Sequence, residues 1–128
     1  MNLNLGNKRV LITGSSKGIG LAIAESFLKE GAKTYLVSRG SNALYENEKK
    51  LKNTYGLENV IACKCDCADI ESLNNLKNKV KNKWNSLDIV IVNVGDGRSV
   101  SDALPSDAQW QNTWNSNFES ALQTARVF

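Results

Sequence analysis

Thr13-Gly14-Ser15-Ser16-Lys17-Gly18-Ile19-Gly20 decides how this 128-residue chain is read. It follows the short apolar run Val10-Leu11-Ile12 and leads into a segment where Ile19, Ala22, Ile23, Ser26 and Phe27 recur at helical spacing. A strand, a glycine-rich turn and a helix start, in that order, make an anion site. Glycines let the backbone turn tightly and approach a ligand, while the first N–H groups of the helix and its positive dipole end face it. In an α/β protein such a junction usually receives a pyrophosphate, which makes Gly14, Ser15, Ser16, Lys17, Gly18, Ile19 and Gly20 candidate binding residues. The competing reading is a glycine turn needed only for close packing of helix on strand.

Working outward, strands and helices alternate without repeats or low-complexity linkers. Arg9–Thr13 reads as a strand, 18–30 as a helix stopped by Gly31, and Lys33–Ser38 as a second strand. Residues 41–55 form a more polar helix whose thin apolar face is Leu44, Leu51 and Tyr55, ended by Gly56. A third strand spans 60–66, and Asp69 caps a helix lined by Ile70, Leu73, Leu76, Val80 and Trp84. The fourth strand, 88–93, holds Ile89-Val90-Ile91-Val92, an unalternating run expected of a parallel strand covered on both faces. A polar loop, Gly95-Asp96-Gly97-Arg98-Ser99, runs to the only proline, Pro105. Ser106 and Gln109 then have capping-box spacing before a helix with the stripe Trp110, Trp114, Phe118, Ala121, Leu122 and Ala125. Such a succession predicts one α/β domain, residues 1–128, with a doubly wound Rossmann-type parallel sheet in strand order 3-2-1-4. The ligand crevice then lies at the carboxyl ends of strands one and four.

Composition fits a soluble globular domain, with 41% apolar and 23% charged residues. A net charge of +3 without any basic, aromatic-interleaved run argues against a nucleic-acid partner. The N-terminus lacks the basic start and apolar core of a signal peptide, and no apolar run is long enough to span a membrane, so a cytoplasmic location is expected. Cys63, Cys65 and Cys67 alternate onto one face of an extended segment. Buried thiols packing as small hydrophobes are expected there rather than a metal site, because the chain has no histidine.

The second strand ends Val37-Ser38-Arg39-Gly40. An NAD site of this type usually has an acidic residue about 20 positions beyond the glycine turn, to hold the ribose 2′-hydroxyl. Arginine there suits a 2′-phosphate, because its planar fork donates two charge-assisted hydrogen bonds. Lys17 adds a second positive charge, so NADP(H) is favoured over NAD(H). The blander alternative makes both side chains solvated surface cations. Asp66 and Asn93, at the ends of the third and fourth strands, point toward adenine and ribose, although Asp66 could instead cap the following turn. Asn117 falls on the apolar stripe of the last helix, where an amide needs a partner or costs about 1–3 kcal/mol. It is either a satisfied core amide or a group reaching toward the reactive end of the ligand.

Those residues resemble the short-chain dehydrogenase/reductase family at four landmarks in order. Thr13-Gly14-x-x-x-Gly18-Ile19-Gly20 is similar to the family's cofactor motif, and Asp66-Cys67 to its adenine-contacting Asp and small apolar neighbour. Asp88 through Val94-Gly95 resembles the fourth-strand motif, usually Asn-Asn-Ala-Gly. The segment from Trp110 to Asn117-Phe118 resembles the helix carrying the Asn of an Asn-Ser-Tyr-Lys tetrad. The resemblance implies pyrophosphate and ribose binding by Gly14 to Gly20, 2′-phosphate binding by Ser38 and Arg39, and adenine binding by Asp66 and Cys67. It likewise implies adenosine contacts from Asn93, Val94 and Gly95, a catalytic role for Asn117, and hydride transfer between NADPH and a carbonyl or alcohol substrate. Val92 departs from the pattern by replacing the first Asn, and the loop that follows it hints at a sugar-related substrate. In the family the Ser and Tyr-x-x-x-Lys residues follow a fifth strand, which has no counterpart among these residues. Tyr45-x-x-x-Lys49 matches only the spacing and reads as solvated helix surface. The expectation is therefore the N-terminal, cofactor-binding half of a reductase, inactive alone and self-associating through its last helix. The alternative is a nucleotide-binding module with no oxidoreductase activity.

Overall fold

The computed structural model describes residues 1–95, 101 and 103–128. Four parallel strands, β1 (Arg9–Thr13), β2 (Lys33–Ser38), β3 (Val60–Lys64) and β4 (Ile89–Ile91), lie in the order β3-β2-β1-β4. Val10 pairs with Thr34 on one side and Ile89 on the other, so β1 is flanked on both sides from Val10 to Ile12. The helices are α1 (Gly18–Lys29), α2 (Asn42–Tyr55), α3 (Ile70–Trp84), α4 (Asp107–Trp114) and α5 (Ser120–Val127).

Strand alternation sorts the side chains into two cores. Val10, Ile12, Leu36 and Val60 face α1 and α2 through Ala24, Leu28, Leu44 and Leu51. Leu11, Tyr35, Val37 and Cys63 face α3 through Leu73, Leu76 and Val80, with Val127 and Phe128 packed alongside. Covering both faces hides the sheet's apolar area from water, at about 25 cal/mol per Å². The doubly wound fold expected from the alternating pattern is therefore the fold observed.

Capping follows the sequence closely. Asp69 accepts the Ser72 N–H at 3.3 Å at the head of α3, and Ser106 with Gln109 forms a complete capping box at the head of α4. The cysteines are buried, with Cys63, Cys65 and Cys67 at 6%, 2% and 1% exposure. Interaction between the neighbouring thiols holds Cys65 below the ordinary thiol value, and the same interaction together with burial pushes Cys67 upward.

Three expectations need correction. The first concerns α1: its buried positions are Gly20, Ala24 and Leu28, and Ile19 stands 74% exposed, because the helix is rotated relative to the stripe read from sequence. Second, β4 is shorter than 88–93, and its residues are only half-buried because the strand lies at the edge of the described sheet. Third, the last helical segment is not one continuous α-helix. A single π-helical turn, Asn115–Glu119, separates α4 from α5. Its extra residue shifts the helix face, so Ser120 and Thr124 become buried while Ala125 is exposed. Ser120 and Thr124 satisfy their hydroxyls on the carbonyls of Ser116 and Ser120, both at 2.7 Å. Trp110, Trp114 and Phe118 remain substantially exposed, and Asn117 lies among exposed rather than buried positions.

Candidate functional site

The glycine turn works through two close approaches. Gly14 sits at φ +64°, a left-handed conformation that side-chain-bearing residues rarely adopt. At Gly20 a Cβ would overlap the Gly14 carbonyl and come within 2.6 Å of Asn93 Nδ2, so the head of α1 can rest against the turn only through glycine. Lys17 is the N-cap residue of α1 and caps nothing with its side chain, and the first turn of α1 carries no acid. The N–H groups and dipole of α1 are thus directed at the turn.

Beside the turn lies a cleft of about 900 Å³. Of the residues singled out from sequence, Gly14, Ser16, Lys17, Gly18, Ser38, Arg39, Asn93, Val94 and Gly95 line it. The remaining wall, Gly40 to Ala43, was not read from sequence; it is the β2–α2 turn and the head of α2. Ser41, the N-cap of α2, makes no side-chain cap bond, and α2 also lacks an acid in its first turn. Two positive helix ends therefore converge on one cleft, and none of its described lining residues is a carboxylate.

Several predicted residues are placed differently. Ser15 is fully buried, donating its hydroxyl to the Ile12 carbonyl at 2.7 Å and accepting the Val37 N–H at 2.8 Å. It knits β1 to β2 behind the turn rather than lining the cleft. Ser38 donates to the Gly40 carbonyl at 2.7 Å and so shapes the β2–α2 turn. Cys67 is buried, and its side chain faces the protein interior.

Asp66 takes the turn-capping role that one reading of it allowed. One oxygen accepts the Ala68 N–H at 3.0 Å, closing the turn into α3. The residue also lines, with Arg39, Ala68 and Ser116, the smaller cavities between the end of β3 and the π-helical turn. Asn117 donates to the Thr113 carbonyl at 3.0 Å, and its Oδ1 lies 3.1 Å from where a Gly95 Cβ would stand. Gly95 thus lets the Asn117 amide approach the exit of β4. The polar loop residues Asp96, Gly97, Arg98 and Ser99 lie outside the described residues. Tyr45 is 45% exposed on α2, and neither it nor Lys49 lines the cleft.

Sequence reading overlooked two supports. Thr13 is buried, and its hydroxyl accepts the backbone N–H of Asn93 at 2.9 Å and of Val94 at 3.3 Å. Asn93 in turn donates its side-chain amide to the Gly14 carbonyl at 3.2 Å. The Thr13 hydroxyl thereby holds the backbone at the exit of β4, where Val92 stands in place of an amide. The other support is Asn47, which reaches from α2 to the Ser16 carbonyl at 2.8 Å. A polar residue beside Leu44 and Leu51 on a thin apolar face was the available signal.

Comparison with known proteins identifies the family and the fold. The model of the short chain dehydrogenase family matches residues 8–128. An uncharacterized oxidoreductase of Bacillus subtilis, YvrD, is 32% identical over 128 residues, covering all of this chain and 47% of that protein. Bovine 15-hydroxyprostaglandin dehydrogenase [NAD(+)] is 29% identical over 120 residues, covering 94% of this chain and 42% of its own length. Among solved structures, L-sorbose reductase from Gluconobacter frateurii, complexed with NADPH and L-sorbose, superposes with a TM-score of 0.91 at 35% identity. That alignment covers 99% of this chain and 48% of the reductase. The chain spans about half the length of the relatives it matches. Its glycine turn, strand order and β4 exit thus sit within a family match reaching from Lys8 to Phe128, and the chain belongs to the short-chain dehydrogenase family.

Proposed function

We propose that residues 1–128 are the dinucleotide-binding domain of an NADP(H)-dependent short-chain dehydrogenase/reductase. The observation that carries this reading is the pair Lys17 and Arg39, one on the glycine turn and one at the end of β2, in a cleft whose described lining has no carboxylate. A 2′-phosphate finds two cations and the head of α2 there, whereas a ribose 2′-hydroxyl finds no acidic acceptor. The Gly14–Gly20 cradle fits the dinucleotide, because its closest approach leaves no room for a Cβ at Gly20 and presents the N–H groups of α1 to an anion. Asp66 and Ala68 are proposed to flank the adenine, and Asn93, Val94 and Gly95 the adenosine portion. The nearby sorbose reductase complexed with NADPH supports the NADP(H) reading; the relative acting with NAD(+) is the reason to test it directly.

Bound in this cleft, a nicotinamide cofactor supplies hydride donor or acceptor chemistry toward a carbonyl or alcohol. Within these residues, Asn117 is proposed to fix a polar group at the exit of β4, held by its own bond to Thr113. Whole-protein activity, with sugar-related ketones as the first substrates to try, belongs to the same proposal. So do a cytoplasmic location and homo-oligomerisation through the exposed Trp110, Trp114 and Phe118. Among the described residues no helix is long and apolar enough to cross a membrane. Calorimetric titration tests the cofactor reading: NADPH should bind, and Arg39→Leu should weaken it selectively. The second reading, a binding module without oxidoreductase activity, is separated by the coding sequence beyond Phe128. An open frame supplying Ser and Tyr-x-x-x-Lys supports the enzyme, and a stop codon supports the module.

A further inference from the structure

Asn47 lies between Leu44 and Leu51 on the side of α2 that packs onto the sheet, where a leucine would suit burial better. Its neighbour Glu48 has a separate task, accepting the outward N–H of Ala62 on the edge strand β3 and so covering part of that edge. Asn47 instead sends its amide across to the Ser16 carbonyl, 2.8 Å away and 31 positions earlier in the chain. Only the NH₂ end of an amide can donate to a carbonyl, so the chemistry fixes which end of Asn47 faces Ser16.

We infer that Asn47 is a positioning residue for the dinucleotide cleft, keeping the Ser16 carbonyl turned onto α2 and away from the anion. The inference rests on the cofactor reading above and extends it to a residue outside the glycine motif. Ser16 and Lys17 both line the cleft, and the peptide joining them has one oxygen that would repel a phosphate if it swung inward. The bond from Asn47 ties that oxygen down. Because Asn42 and Ala43, at the head of the same helix, also line the cleft, one amide joins its pyrophosphate wall to its 2′-phosphate wall. Asn47 does not itself line the cleft, so its effect is exerted through the Ser16–Lys17 peptide.

The test compares two ligands on the wild-type chain, Asn47→Asp and Asn47→Ala. NADPH engages both walls, whereas adenosine 2′-monophosphate carries the 2′-phosphate without a pyrophosphate. Asn47→Asp sets a carboxylate against a carbonyl and should weaken NADPH about tenfold, and Asn47→Ala about fivefold. Adenosine 2′-monophosphate should change by less than about twofold in both. Should Asn47→Asp fail to fold, Asn47→Ala carries the comparison. Unchanged NADPH affinity, or an equal loss for both ligands, would overturn the inference, the latter marking simple displacement of α2. If the wild-type chain binds neither NADPH nor NADH, the cofactor reading falls and this one with it. Wild-type binding with unaffected Asn47 variants overturns this inference alone.

Discussion

Thr13 and Thr34 occupy adjacent strands, both fully buried, yet their hydroxyls stand in opposite situations. Thr13 accepts the N–H groups of Asn93 and Val94, while the Thr34 hydroxyl has no hydrogen-bond partner among the described residues. Valine is close to threonine in shape, so the same substitution should act with opposite sign at the two sites. Thr13→Val strands two backbone donors and should destabilise by about 1–3 kcal/mol, whereas Thr34→Val removes an unpaired buried hydroxyl and should stabilise by about 1 kcal/mol. Urea unfolding of both variants checks this, and equal effects would show that the two hydroxyls are solvated alike.

Gly20 admits no side chain. Gly20→Ala drives a methyl into the Gly14 carbonyl and the Asn93 amide, both backbone-anchored parts of the cleft. Loss of about 1–3 kcal/mol of stability is expected, with weaker dinucleotide binding than Gly40→Ala, where a Cβ meets nothing within 4 Å. Thermal unfolding and NADPH titration of the pair measure both effects.

Arg39 should discriminate the two cofactors. Charge-assisted hydrogen bonds are worth about 1.5–3 kcal/mol, so Arg39→Leu should weaken NADPH about 10- to 100-fold and leave NADH within about twofold. A parallel loss for both dinucleotides would mean that Arg39 acts on the fold or the adenine rather than the 2′-phosphate.

Acid should reveal the Arg9–Asp88 clamp, which joins the starts of β1 and β4. The backbone N–H of Arg9, then its guanidinium, hold the Asp88 carboxyl below its ordinary value, with contacts at 2.8 and 3.2 Å. A depressed carboxyl stabilises the fold above its unfolded pKa, and that contribution disappears as pH falls through the folded value. Asp88→Asn should therefore be less stable than wild type at neutral pH, with the gap closing as pH falls below about 4. A gap independent of pH would assign the loss to packing.

Much of the fold was legible because its signals are local. The Val10-Leu11-Ile12 run, the glycine turn and the Asp69 and Ser106 caps each depend on neighbours within a few residues. The π-helical turn was hidden, since Trp110, Trp114, Phe118, Ala121, Leu122 and Ala125 read as one unbroken helical stripe across it. Asn117 was expected on a buried face for the same reason. At the site, charge identified Lys17 and Arg39, while the roles of Ser15, Thr13 and Asn47 depend on tertiary hydrogen bonds to Val37, Asn93 and Ser16. No spacing rule encodes such partners.

The preference for NADP(H) is tested most directly by the relative affinity of the wild-type chain for NADPH and NADH, measured by isothermal calorimetry at one fixed ionic strength. NADPH should bind at least about tenfold more tightly, the difference expected from pairing a 2′-phosphate with Lys17 and Arg39. Equal affinity, preference for NADH, or no binding of either dinucleotide would contradict it.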